Sequence, residues 1–218
     1  MRLPLREPRT DRREDFIVSP GAAAAVAAVD AWRGWTGGRL ALIGPEGSGK
    51  THLARAWARE ADAATFDPDV ADIAALGGRA VLLEDADRRP ADETLFHLIN
   101  LADAGGRLLI TARTPPRVWP TPVADLRSRL NALMVAELPA PDDVVLEGVI
   151  RKFFRERHIR PDDDVPAFLA RRIERSVPAA WAAVARIDEV AAAGKREVTR
   201  ALAREVLQEQ DQTLDLFE

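Results

Sequence analysis

Gly44-Pro45-Glu46-Gly47-Ser48-Gly49-Lys50-Thr51 is the stretch that decides the fold. The octet satisfies G-x-x-x-x-G-K-[ST] at every fixed position, the pattern of a loop that wraps the phosphates of a nucleotide. It stands between a short apolar run, Leu40–Ile43, and a segment of helical period that opens at Thr51 and His52. Strand, loop and helix in that order are what the chemistry requires. Glycines let backbone N–H groups turn inward around an anion, and the helix N-terminus adds the positive end of its dipole. Lys50 then supplies a point charge to the β- and γ-phosphates and Thr51 a hydroxyl to Mg2+. The bland alternative, a glycine-rich turn that matches by accident, does not explain the strand and helix on either side.

Outward from this loop, apolar runs recur at Leu40–Ile43, Ala63–Phe66, Ala80–Leu83, Leu108–Ile110 and Leu133–Leu138, with helical segments such as His52–Ala61 and Thr94–Ala104 between them. Short apolar runs alternating with helices predict a parallel five-stranded sheet with helices on both faces, an α/β fold. Upstream, Ser19-Pro20 predicts a helix start and Ala22 to Trp32 its continuation. Beyond Pro139-Ala140-Pro141 the strand signal stops. Helical period continues over about 143–158, 165–175, 179–193 and 199–210, enough for a small all-helical lid. The organisation expected is an extended arm over 1–15, a nucleotide-binding α/β domain over 16–140, a lid over 141–210 and a tail over 211–218.

A phosphate loop needs an acid at the end of a neighbouring strand to hold the metal, and Glu84-Asp85 follows Ala80–Leu83. The order is unusual, since the common pattern places Asp first and a second acid beside it. With Glu84 as the metal acid, the longer side chain shifts the ion, and a displacement of ~1 Å can cost ~100-fold in rate. With Asp85 in that role, Ala86 leaves the water-activating position empty. Either alignment predicts weak hydrolysis by the chain itself.

Composition narrows the function classes. The 218 residues carry 31 Lys+Arg against 35 Asp+Glu, a formal charge of −4, which argues against a surface built as a whole to bind polyanions. No cysteine is present, so disulfides, thiolate metal sites and a thiol nucleophile are excluded. His52, His97 and His158 are too scattered in sequence to announce a metal cluster. No run approaches the ~18 apolar residues of a membrane span, and the N-terminus turns charged after Leu5, so a cytoplasmic protein without membrane contact is expected.

Several segments taken together resemble the AAA+ ATPases related to the bacterial initiator DnaA, and within them the Hda-like regulators. They are Phe16-Ile17-Val18-Ser19-Pro20 before the Ala-rich helix, Gly44 to Leu53, Leu82 to Asp87, Leu95-Phe96-His97-Leu98-Ile99-Asn100-Leu101, Leu109 to Pro116, and Asp125-Leu126-Arg127-Ser128-Arg129-Leu130. The resemblance covers roughly residues 16–210. It implies ADP or ATP with Mg2+ as cofactors and Gly44 to His52 as the nucleotide loop. It puts Thr111 at the sensor position after the fourth strand, and Arg175 nearest the place of the lid arginine. Arg129 matches an arginine finger that reaches the nucleotide of a neighbouring subunit, with Arg127 as the competing assignment.

Two tails carry a further implication. Met1-Arg2-Leu3-Pro4-Leu5 is similar to the peptide with which Hda-like proteins dock on the polymerase sliding clamp, without its leading Gln. Thr213-Leu214-Asp215-Leu216-Phe217 is similar to a second clamp peptide, with Thr in place of Gln. Leu3, Pro4, Leu5, Leu214, Leu216 and Phe217 are thus the clamp-binding candidates. The function so implied is negative regulation of replication initiation: a clamp-tethered protein that stimulates hydrolysis of DnaA-bound ATP. It touches DNA only through the clamp, and the resemblance allows a homodimer. The resemblance stops before the helix-turn-helix region with which DnaA-type initiators read DNA. The rival reading is a free-standing AAA+ ATPase of the helicase-loader or remodelling kind.

Overall fold

The computed structural model describes residues 12–67, 73–88 and 91–215. The five strands are β1 (Arg39–Ile43), β2 (Ala64–Thr65), β3 (Ala80–Leu83), β4 (Arg107–Ala112) and β5 (Met134–Glu137). All pair parallel, in the order β2-β3-β4-β1-β5. The expected α/β sheet is therefore present, with β2 cut to two residues at its edge and β5 trimmed at both ends of its apolar run.

Because alternate residues of a strand point to opposite faces, each strand feeds two cores. Ala41, Ile43, Val81, Leu83, Leu108 and Ile110 pack under α3 (Asp92–Asp103) and α4 (Ala124–Asn131). Leu40, Leu42, Leu82 and Leu109 pack on the other side under α1 (Ala23–Asp30) and α2 (Lys50–Glu60). The central residues Leu40, Leu42, Leu82, Leu108 and Leu109 are fully buried, as strands covered on both faces must be. Around α2 the second core is closed by Trp35 and Trp57, stacked with ring centroids 5.5 Å apart.

The Ala-rich helix begins later than expected. The Ser19 hydroxyl accepts the Ala22 N–H at 3.3 Å, so Ser19 to Ala22 close a turn and the helix proper starts at Ala23. The expected extended arm is coiled where it is described: Arg13–Asp15 form one turn of 3-10 helix. Arg13 holds that turn on α1 by a two-point bond to Asp30, 2.9 and 2.8 Å.

The described chain divides into two compact units. One contains the residues up to Pro45 together with Gly49–Pro139. The other contains Glu46–Ser48 and the residues from Ala140 onward. The second unit is helical: α5 (Asp143–Glu156), α6 (Val165–Ala170), α7 (Val177–Gly194) and α8 (Arg200–Asp215). Its core is Leu146, Ile150, Phe154, Phe168, Leu169, Val184, Ile187, Leu202 and Val206. Three N-caps set its helix starts: Asp142 accepts the Val145 N–H at 2.9 Å, Ser176 accepts the Ala179 N–H at 3.2 Å and Thr199 accepts the Leu202 N–H at 3.3 Å, each contributing about 1 kcal/mol. The helix expected over 165–175 stops at Ala170.

The C-terminal tail departs from the extended peptide expected of it. Helix α8 runs on to Asp215 and so includes Leu214, because neither glycine nor proline interrupts the segment. Leu3, Pro4, Leu5, Leu216 and Phe217 lie outside the described residues.

Candidate nucleotide site

The topology creates the site. Strand β1 lies between β4 and β5. On leaving β1 the chain crosses to β2 at one edge of the sheet, and on leaving β4 it passes over β1 to β5 at the other. The carboxyl end of β1 is thus a switch point, where parallel sheets present ligand crevices. The phosphate loop emerges there.

Three loop glycines take backbone conformations unfavourable to L side chains: Gly44 at φ 151°, Gly47 at 73° and Gly49 at 99°. At Gly49 a Cβ would also come within 3.1 Å of the Phe16 ring. Lys50 begins α2, and its Nζ donates to the carbonyls of Gly44 and Pro45, both at 2.8 Å. The ammonium is thereby positioned across the loop. The buried Ser48 hydroxyl has no hydrogen-bond partner among the described residues. A buried orphan costs about 1–3 kcal/mol, and a phosphate oxygen would satisfy it. These residues fit a nucleotide. His52 is used otherwise: its Nε2 meets the Arg12 carbonyl at 2.9 Å and its ring lies edge-on to Phe16, centroids 5.6 Å apart.

At the end of β3 the polar groups are arranged differently. Glu84 Oε2 accepts from Arg55 of α2, from Nη2 at 3.0 Å and Nε at 3.3 Å. Asp85 adopts φ 53°, and its N–H donates to the Thr111 hydroxyl at 3.1 Å. Thr111, 1% exposed, therefore braces the strand-end turn from β4. The Asp85 side chain is exposed, and its carboxylate has no partner among the described residues. Thr51 is exposed in the first turn of α2. Glu84 does not fit a Mg2+ ion in the expected manner, because it is already answered by a guanidinium, whereas Asp85 and Thr51 remain exposed.

Asp87 has a role that sequence reading missed. Its Oδ2 accepts from the N–H groups of Arg113 (2.9 Å) and Thr114 (3.2 Å) and lies 3.4 Å from the Thr114 hydroxyl. It thus fixes the segment leaving β4. No local spacing signals such a pairing, since the partners are 26 and 27 residues apart. Arg55 was missed for the same reason.

The two candidate finger arginines are used very differently. Arg127 donates to three backbone carbonyls, Trp119 at 2.6 Å, Thr121 at 3.2 Å and Arg117 at 3.3 Å, and so ties α4 to the loop before it. Among the described residues the Arg129 guanidinium meets side chains only: Asp103 at 3.0 Å, Asp125 at 3.2 Å and the Phe96 ring, 4.9 Å from its centroid. Asp103 is shared with Arg39. In the helical unit Arg175 pairs with Asp143 at 2.8 Å.

Comparison with known proteins bears on the fold. No family model matches the chain. The chain is 32% identical over 127 residues to the chromosomal replication initiator protein DnaA of Thermomicrobium roseum, covering 58% of this chain and 27% of that protein. It is 30% identical over 167 residues to DnaA of Sphingopyxis alaskensis, 63% of this chain and 37% of that one. It therefore spans about a quarter to a third of the length of these relatives. Among solved structures, domain III of the Thermotoga maritima initiator DnaA superposes with a TM-score of 0.77 at 21% identity, covering 93% of this chain and 97% of that one. A replication initiator DnaA bound to AMPPCP and single-stranded DNA gives 0.71 at 18% identity, covering 96% and 72%. Similarity to DnaA sequences over about three fifths of the chain, together with superposition on DnaA domain III, shows this chain to be DnaA-related in sequence and to have the AAA+ fold of that domain.

Proposed function

We propose that the chain is an Hda-like negative regulator of replication initiation. It holds ADP or ATP on Gly44–Thr51, associates with the DNA-loaded sliding clamp through its terminal peptides, and stimulates hydrolysis of ATP bound to a DnaA-type initiator by offering Arg129. The observation that carries this reading is the contrast between the two arginines of α4. Arg127 is bound to three backbone carbonyls, whereas Arg129 rests on partly exposed carboxylates. Ion pairs of that kind contribute about 0–1 kcal/mol, so a phosphoryl group on a neighbour competes for the guanidinium on favourable terms. A guanidinium placed there stabilises charge developing on the transferred phosphoryl group, an effect of about 10³–10⁵ in rate. Low turnover by the chain itself follows from Glu84 being held by Arg55 and Thr111 by the Asp85 amide. The clamp contact rests on the sequences around Leu3–Leu5 and Leu214–Phe217 alone.

The test follows radiolabelled ATP on DnaA, converted to ADP with DNA-loaded clamp and wild-type, Arg129→Ala or Arg127→Ala protein. Loss of stimulation in Arg129→Ala, with nucleotide binding intact, supports the reading. Stimulation retained by both variants contradicts it and favours the alternative of a free-standing AAA+ ATPase, to which the unpartnered Asp85 carboxylate lends its support.

A further inference from the structure

Thr51 and Arg55 stand four residues apart on α2 and so share one face of that helix. Arg55 reaches from this face to Glu84, which has the strand parity of Leu82 and thus belongs to the α2 side of the sheet. Glu84, the strand-end carboxylate on that side of the sheet, therefore carries a resident positive charge. That charge is permanent, because arginine does not lose its proton in the physiological range. A divalent cation on the same carboxylate would stand within a few ångströms of the guanidinium and be repelled by it. Conversely, without Arg55 the Glu84 carboxylate would stand unneutralised at the end of the sheet where the phosphate loop emerges, and a metal ion could then take the guanidinium's place.

We propose that this chain binds adenine nucleotide as the metal-free anion, with Arg55 serving as the fixed counter-cation of Glu84 in place of Mg2+. The proposal rests on the nucleotide reading of the phosphate loop. It names the ligand class as a free nucleoside di- or triphosphate and makes Arg55 a positioning residue of the site.

The experiment is calorimetric titration of ADP into the full chain, in excess Mg2+ and in EDTA, for wild type, Arg55→Met, Arg55→Lys and Arg55→Met/Glu84→Gln, with circular dichroism melts confirming that each variant folds. Wild type and Arg55→Lys are expected to give dissociation constants agreeing within about threefold in the two buffers. Arg55→Met is expected to weaken by about tenfold or more in EDTA, about 1.4 kcal/mol, and to recover with Mg2+. The double variant, lacking the uncompensated carboxylate, is expected to lose that metal dependence. Wild-type binding that saturates in Mg2+ but weakens by about tenfold or more in EDTA overturns the proposal while leaving the nucleotide reading standing. No binding of ADP in either buffer overturns both.

Discussion

The carboxyl ends of β1 and β3 belong to one sheet and point the same way, yet they are built on opposite principles. At the end of β1 stand glycines in left-handed conformations, a lysine bonded to loop carbonyls and a buried serine hydroxyl that is without a partner among the described residues. At the end of β3 the chain uses most of its polar groups on itself, with Glu84 on Arg55, Thr111 under Asp85 and Asp87 on the Arg113–Thr114 backbone. A ligand site needs unsatisfied groups, whereas a brace is complete without one. The difference separates holding a nucleotide from turning it over.

The strongest way to break the comparison is at β1. Lys50→Ala is expected to abolish nucleotide binding and, with it, the stabilisation that ligand confers, about 2.7 kcal/mol at a concentration ~100 times its dissociation constant. Thermal melts with and without ADP check this. A wild type whose melting temperature ignores ADP would remove the receptive character of this end. At β3 the expected loss is intrinsic and independent of ligand. Asp87→Ala leaves the Arg113 and Thr114 amides without their acceptor and should destabilise the apo protein by about 1–3 kcal/mol, measured by urea unfolding without nucleotide.

A smaller effect sharpens the contrast between the two arginines of α4. Arg127→Ala should cost about 1 kcal/mol or more, since it removes three backbone contacts. Arg129→Ala should stay within about 0.5 kcal/mol, as befits a side chain held by exposed ion pairs. Equal losses would make Arg129 structural too.

The smallest effect belongs to the helical unit. Glu205 accepts two bonds from Arg196, 2.8 and 2.7 Å, which hold its carboxyl below the ordinary glutamate value. A depressed carboxylate contributes stability above its unfolded value of 4.5 and loses it as acid titrates the folded state. The melting temperatures of wild type and Glu205→Gln should therefore differ slightly at neutral pH and converge in acid below that value. A difference that widens in acid would reverse the sign.

The same contrast explains what was legible in the sequence. The phosphate loop, its strand and its helix are contiguous, so spacing and residue type reveal them without tertiary information. The apolar runs of β1, β3 and β4 were legible because strands buried on both faces have no other way to be composed. The brace at β3 was not legible: Arg55 pairs with Glu84 across 29 residues, and an arginine at that helical position looks like any solvated cation. Arg127 and Arg129 could not be separated either, because carbonyl acceptors at Trp119 and Thr121 exist only once the loop before α4 is folded. The continuation of α8 to Asp215 was missed by weighing Leu214 to Phe217 as a peptide motif rather than as a helix without a stop signal.

The central claim is that the β1 end binds nucleotide while the β3 end withholds hydrolysis, and one measurement addresses both halves. Purified protein is loaded with radiolabelled ATP, freed of excess nucleotide, and sampled over time for bound ATP and ADP in the presence of Mg2+ and in the absence of any partner. The account predicts that ATP co-purifies with the chain and is recovered intact long after an enzyme of ordinary turnover, roughly 1 per second or faster, would have consumed it. Rapid conversion of the bound ATP to ADP by the isolated chain would contradict it.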